Sequence, residues 1–132
     1  MAGTPIPQGS KKAFVRGGRV SLVEANSGLK GWRSAVALGC KQAMLAAEVA
    51  PGDGGPMVVE LVFVFERPKS VKRDWMSVKP DVDKLCRAVL DGVSDSGFWL
   101  GDQQVVELSA LKRYGVDGEP AGVWVDLRHA EI

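Results

Sequence analysis

The sequence contains one histidine and only two cysteines among its 132 residues. A lone histidine, His129, excludes metal sites built on several imidazoles and leaves little room for a Ser-His-Asp triad, so we expect it to lie on the surface. The GxxxxGK[ST] loop that binds nucleotide phosphates is also absent. Cys40 and Cys86 fall on the apolar faces of predicted helices, and we expect both to be reduced core residues.

Long hydrophobic runs are missing as well. No stretch has the length and apolarity of a transmembrane span, and the opening MAGTPIPQGSKK lacks the apolar run of a signal peptide. We therefore expect a cytoplasmic protein with no membrane partner. The length predicts a single domain, residues 1–132, with a core of its own.

Charge of one sign is not in excess overall, but it is unevenly distributed. The net charge is +1, yet residues 1–90 carry +6 and residues 91–132 carry −5. Such asymmetry is typical of a protein with a basic surface for a polyanion. The alternative is a set of solvated lysines without a partner.

Turn signals and hydrophobic periods divide the rest of the chain into strands and helices. The strongest strand is MVVELVFVF, which is apolar at every position but one and therefore predicts the centre of a sheet. The order predicts an α+β domain in which a mixed or antiparallel sheet of about four to five strands is covered by two helices. The predicted elements are a hairpin (13–15 and 20–23), a helix from Leu29 to before Pro51, a strand (57–65), a helix (82–93) and a closing hairpin (103–114 and 121–127).

The helix predicted from Val82 to Val93 has an apolar back and a face that holds acids and bases, namely Asp83, Lys84, Arg87 and Asp91. Pro80 disfavours helical geometry at the residue before it, so the helix begins after Pro80. Asp81 then occupies the N-cap, where its carboxylate can accept backbone N–H groups. In the plain structural interpretation Asp81 is only this cap, and Asp83 and Arg87 form a surface pair.

A third aspartate changes that interpretation. Phe98-Trp99-Leu100-Gly101 predicts a buried turn that carries Asp102 back beside the start of the helix. Three converging carboxylates, Asp81, Asp83 and Asp102, repel one another unless a cation lies among them. Hard divalent cations such as Mg²⁺ take oxygen ligands of this kind. The pattern therefore predicts a metal site.

Two basic segments favour a nucleic-acid partner. The first is the hairpin, whose cations suit phosphate contacts or, alternatively, a charged edge strand that discourages aggregation. The second is ERPKSVKRDWMSVK, a predicted DNA-contacting loop in which the cations contact the backbone and Trp75 a base or sugar. The alternative is a mobile surface loop with Trp75 packed against the core. The candidate DNA-binding residues are Lys11, Lys12, Arg16, Arg19, Arg67, Lys69, Lys72, Arg73, Trp75 and Lys79.

The block KPDVDKLCRAVLDGVSDSGFWLGDQQV resembles the RusA family of Holliday-junction resolvases, which are metal-dependent endonucleases common in bacteriophages and prophages. The family pattern is D-x-D at the start of a helix, a basic residue four positions later, and a third Asp before a Q-V strand. Here these positions are Asp81, Asp83, Arg87 and Asp102. The opening PIPQGSKKAFVRGGRV also resembles the family's Pro-rich, basic start. The family usually has Lys at the position of Arg87, and Lys84 is a second cation on that face.

The resemblance implies that Asp81, Asp83 and Asp102 hold one or two Mg²⁺ or Mn²⁺ ions, which activate a water and stabilise charge on the scissile phosphate. Arg87 or Lys84 would add positive charge. Asp91, on the same face of the predicted helix, is either a supporting group that orients Arg87 or simply a surface acid. Arginine is no proton donor at neutral pH, so its part would be electrostatic.

The resemblance further implies a homodimer that makes paired cuts in branched DNA during recombination and repair. The sequence has more large aromatic side chains than so small a core needs, among them Trp32, Trp99 and Trp124. We expect part of their apolar surface to be shared between two copies. Two alternatives stay open, a non-catalytic branched-DNA-binding protein and a domain that binds small molecules or proteins.

Overall fold

The structure of the protein is a computed structural model. It describes residues 3–6, 28–48, 52 and 54–130 in full, and residues 11–16 and 19–24 by their backbone.

Strand β3 (Met57–Phe65) is the centre of a three-stranded mixed sheet. Strand β4 (Val105–Tyr114) lies parallel on one side of it, and strand β5 (Gly122–His129) lies antiparallel on the other. The run MVVELVFVF sits there because nearly all of its side chains are apolar and a central strand is covered best. The predicted central strand and the mixed sheet are confirmed.

Two predictions about the sheet are wrong. The residues that the structure describes contain a three-stranded sheet rather than one of four to five strands, because β1 (Lys11–Arg16) and β2 (Arg19–Glu24) pair with each other as a separate antiparallel hairpin. The closing hairpin does not form either. Instead, β4 hydrogen-bonds to one edge of β3 and β5 to the other. β4 lies parallel to β3 because the connection between these two strands is a crossover that contains a helix.

Two helices supply the cover. Helix α1 (Leu29–Ala47) agrees with its prediction, and helix α2 (Val82–Ser96) extends beyond the predicted Val93 to a left-handed cap at Gly97. The helices approach each other closely at Gly92, where a Cβ atom would lie 2.7 Å from Val36 Cγ1. A second contact joins them at the surface, where Arg33 Nη2 donates to Asp95 Oδ2 at 2.9 Å.

The core lies between these helices and one face of the sheet. Alternate residues of β3 enter it, and both cysteines are buried within it as free thiols, as predicted. Burial raises the pKa of each thiol, so both stay neutral at neutral pH. The residues that fill the centre include Trp32, Val36, Met57, Leu61, Phe63, Leu85, Val89, Trp99 and Val123.

The other face of the sheet is open at its middle. Val62 of β3 is in register with Leu111 of β4 and with Trp124 of β5, so the three side chains form one row across the strands. Leu111 is 49% exposed and Trp124 is 65% exposed. Of the three tryptophans considered for a shared surface, Trp124 is therefore the exposed one, whereas Trp32 and Trp99 are buried.

None of the helices in the described part of the chain combines the length and the apolarity that a bilayer crossing needs. His129, at the end of β5, is exposed as predicted.

Candidate active site

Helix α2 begins with two exposed aspartates. Asp81 is its N-cap residue, as predicted, but the side chain makes no capping hydrogen bond, so that part of the prediction is wrong. The first helical hydrogen bond uses the backbone instead, from Leu85 N to Asp81 O at 3.1 Å. Among the described residues, neither Asp81 nor Asp83 has a hydrogen-bond or ion-pair partner for its carboxylate. Both therefore keep their oxygens available.

Asp102 reaches the same helix by a turn that two buried residues hold in place. Trp99 Nε1 donates to Ser94 Oγ at 2.7 Å, which fixes the turn to the end of α2. Gln104 Oε1 accepts from the backbone N–H of Leu100 at 2.7 Å, and its Nε2 donates to Gly55 O at 2.8 Å. The predicted buried turn is confirmed for Trp99, while Leu100 is exposed.

Arg87 stands between two of the acids. It donates to Asp102 Oδ2, and its Nη1 lies 3.6 Å from Asp91 Oδ1, one turn further along α2. The hydrogen bond that Arg87 donates to Asp102 raises the pKa of Arg87 above its ordinary value, and the charges of Asp102 and Asp91 add to this. The alternative surface pair between Asp83 and Arg87 does not form, whereas Asp91 is placed to orient Arg87.

The donors suit a hard divalent cation, but the described residues do not bring three of them together. Carboxylate oxygens are the ligands that Mg²⁺ prefers. No group of three acidic, histidine or cysteine side chains in the described residues is close enough to hold one ion. Asp102 is turned to Arg87, while Asp81 and Asp83 stand at the helix start. The oxygens of the three aspartates suit Mg²⁺, but the carboxylate of Asp102 is paired with Arg87.

The basic loop, residues 66–80, is tied to the sheet through Tyr114 at the end of β4. The guanidinium carbon of Arg67 lies 4.5 Å from the centre of the Tyr114 ring, and Arg73 Nη2 donates to its hydroxyl at 2.9 Å. Arg67 also donates to the carbonyl of Arg73 at 2.6 Å. Two of the predicted DNA-contacting cations are therefore engaged within the protein.

Trp75 projects from this loop with 82% of its surface exposed, and its neighbour Met76 is the residue that packs into the core. The alternative in which Trp75 is packed against the core is wrong. Lys69, Lys72 and Lys79 are exposed on the same loop, and Lys84 is exposed on α2. The side chains of Lys11, Lys12, Arg16 and Arg19 lie outside the described residues.

Sequence reasoning missed three residues that arrange this region, Gln104, Lys112 and Tyr114. Gln104 and Tyr114 are buried. Lys112 Nζ donates to the carbonyls of Val78 and, at 2.7 Å, Pro80, just before Asp81. All three lie in or just before β4. A polar residue on the core side of a strand is the signal that could have found Lys112 and Tyr114.

A family model described as endodeoxyribonuclease RusA matches residues 2–128, which is nearly the whole chain. A comparison with curated proteins found no match. The two aspartates at the start of α2, Arg87 and Asp102 lie within this matched range.

Proposed function

Because the chain belongs to the RusA family of endodeoxyribonucleases, we propose that it resolves four-way DNA junctions by metal-dependent hydrolysis of phosphodiester bonds, in recombination and repair. The observation that carries the proposal is the acidic edge, which we define as Asp81, Asp83, Asp91 and Asp102 with Arg87. The carboxylates of Asp81 and Asp83 have no partner in the described residues, and those of Asp91 and Asp102 share Arg87.

We assign Asp81, Asp83 and Asp102 as the residues that would hold Mg²⁺ or Mn²⁺. The bound ion would supply a water of lowered pKa and charge stabilisation at the scissile phosphate. The guanidinium of Arg87 is charged at neutral pH, so Arg87 contributes electrostatic attraction for the phosphate and transfers no proton. Asp91 restrains Arg87 from the next turn of α2. Lys84 is a second exposed cation on that helix.

The basic loop is the proposed contact for the DNA that leads into the site. Lys69, Lys72 and Lys79 are exposed and suited to phosphates, and Trp75 offers an aromatic face on which a base or sugar can stack. Arg67 and Arg73 support the loop from beneath through Tyr114. We propose a cytoplasmic location because the substrate is DNA.

We also propose a homodimer. A four-way junction is approximately two-fold symmetric and needs two matched cuts, whereas one chain carries one acidic edge. The exposed row of Leu111, Val62 and Trp124 offers an apolar surface for a second copy. Sedimentation equilibrium at micromolar concentration should give a dimer mass for the wild type and a lower mass for Trp124→Ser. A monomer mass for the wild type with and without junction DNA would overturn the dimer.

The activity is tested with end-labelled four-way and linear DNA of the same sequence, each incubated with and without Mg²⁺. We expect two symmetric incisions in the junction with Mg²⁺ and none in EDTA. Tight junction binding without cleavage in either condition would support the non-catalytic alternative instead. Equal cutting of linear DNA would contradict specificity for branched DNA.

A further inference from the structure

Lys112 is a half-buried lysine whose ammonium group bonds to backbone carbonyls instead of a carboxylate. Its Nζ donates to Val78 O and, at 2.7 Å, to Pro80 O. It is in register with Phe63, so its side chain leaves β4 on the face that carries the core. In the described residues Lys112 forms no ion pair. Two of its three N–H donors are therefore used on the chain just before Asp81.

These carbonyls belong to the last part of the basic loop. The earlier part is held by Tyr114 and by the burial of Met76. Among the described residues, the hydrogen bonds from Lys112 are the ones that join residues 78–80 to the sheet. Asp81 follows Pro80 directly. Its carbonyl accepts from Leu85 N at 3.1 Å, which ties it to α2, but its side chain makes no capping hydrogen bond. On the side of Asp81 that precedes the helix, the backbone is held through the carbonyl of Pro80.

The chemistry of the contact favours a positioning role over simple packing. Packing would need only the methylene stem of a lysine, with its charged end in water. Here the charged end turns to two carbonyls, and hydrogen bonds from an ionised donor are stronger than neutral ones. An ammonium also restrains two carbonyls at once, which a hydrophobic residue of the same length cannot do.

We propose that Lys112 is a positioning residue of the active site, which holds Asp81 in place through the carbonyls of Val78 and Pro80. It touches neither the DNA nor the metal. This inference rests on the proposed function for its consequence in catalysis, although the anchoring of residues 78–81 can be measured without any substrate.

The test compares Lys112→Met, which keeps the length and loses the donors, with Lys112→Arg, which keeps donors. Lys41→Met, at an exposed lysine of α1, is the matched control. For Lys112→Met we expect kcat for junction cleavage and affinity for Mn²⁺ to fall about 10- to 100-fold, as for other residues that orient metal ligands. Junction affinity measured in EDTA should stay at the wild-type value. Lys112→Arg should recover part of kcat, and Lys41→Met should match the wild type.

Hydrogen exchange provides the readout that needs no activity. The amides from Val78 to Lys84 should exchange faster in Lys112→Met than in the wild type, with those of α1 unchanged. Unchanged exchange there would overturn the proposal. A wild-type kcat in Lys112→Met would also overturn the proposal. A loss of stability alone would not account for a lower kcat, because the molecules that stay folded remain active. A wild type that neither cleaves junctions nor binds Mn²⁺ would remove the proposed function, and exchange would still decide whether Lys112 anchors the segment.

Discussion

Two arginine–carboxylate groups lie in different parts of the molecule and differ in the number of carboxylates that each arginine faces. Near the end of β4, Arg113 donates to both oxygens of Glu119 in the connection to β5, at 2.6 and 2.9 Å, and Val116 N adds a third donor at 3.3 Å. At the acidic edge, Arg87 is divided between Asp102 and Asp91, while Asp81 and Asp83 have no partner in the described residues.

The difference lies in whether the carboxylates find their partners within the protein. The Glu119 carboxylate is matched by one arginine, which with a backbone donor lowers its pKa to about 2. The acidic edge has four carboxylates against Arg87, with Lys84 exposed nearby, and therefore keeps oxygens for a cation.

The largest effect is expected from removing a carboxylate of the acidic edge. Asp81→Asn, Asp83→Asn and Asp102→Asn should each slow junction cleavage by about 100-fold or more, because each removes a proposed metal ligand. Junction binding should be unchanged or tighter, since a negative charge near the phosphates is lost. Single-turnover cleavage and equilibrium binding measure the two quantities.

Asp95→Asn is the control on the same helix, because Asp95 pairs with Arg33 on α1. It should cleave at the wild-type rate. Near-normal cleavage by all three edge variants would refute the assignment of the active site.

Arg87→Ala should separate binding of the metal from catalysis. Without the guanidinium Asp102 has no competing cation, so Mn²⁺ should bind about fivefold more tightly, which corresponds to the ~1 kcal/mol of an exposed ion pair. Cleavage should nevertheless be about 100-fold slower, because positive charge for the transition state is lost. Isothermal titration and single-turnover kinetics measure the two changes.

Arg33→Ala, which breaks the exposed pair with Asp95, should leave both quantities unchanged. If Arg87→Ala weakened Mn²⁺ binding instead, Arg87 would be organising Asp102 for the metal rather than competing with it.

The salt dependence of junction binding should distinguish free cations of the loop from engaged ones. Lys69→Ala with Lys72→Ala should reduce the slope of log K against log salt by about 0.9 for each lysine that contacts a phosphate. Arg73→Ala should change the slope less and lower the urea midpoint, because Arg73 donates to the Tyr114 hydroxyl. An unchanged slope in the lysine double variant would mean that this loop does not touch the backbone.

The smallest effect concerns the balanced pair. The pKa of Glu119 falls from 4.5 to about 2 on folding, so its contribution to stability is present above pH 4.5 and is lost as the pH falls toward 2. Glu119→Gln should therefore remove the part of the pH dependence of the urea midpoint that lies in this window. Glu107→Gln, at an exposed glutamate of β4, is the control and should reproduce the wild-type curve. Identical curves for Glu119→Gln and the wild type would show that the pair does not act on stability.

Local patterns predicted the elements well. The apolar run of β3 and the period of α1 gave their positions, because burial of those side chains determines both. The start of α2 followed from Pro80, which disfavours helical geometry at the residue before it. The pairing predicted between the last two strands, β4 and β5, was wrong. Whether β5 joins β4 or crosses to the far edge of β3 depends on contacts between distant residues, which a short turn signal does not encode.

For the candidate site, the pattern of aspartates and then the family resemblance led to the proposed residues, but neither predicted the contacts that these residues make. The free carboxylate of Asp81 could not be predicted, because an aspartate at an N-cap ordinarily accepts a backbone N–H. The engagement of Arg73 by Tyr114 joins residues 41 positions apart. The anchoring of the chain before Asp81 by Lys112 is equally non-local, so neither contact is visible in a local pattern.

The most direct test of the difference between the two groups is paramagnetic broadening by Mn²⁺ in an amide NMR spectrum of the ¹⁵N-labelled protein. Substoichiometric Mn²⁺ should broaden the amides of Asp81, Asp83 and Asp102 and leave those of Arg113 and Glu119 sharp. The same titration of Asp83→Asn should require more Mn²⁺ for the same broadening. Sharp signals at the start of α2, or equal broadening at both groups, would contradict the assignment of the acidic edge as the metal-binding active site.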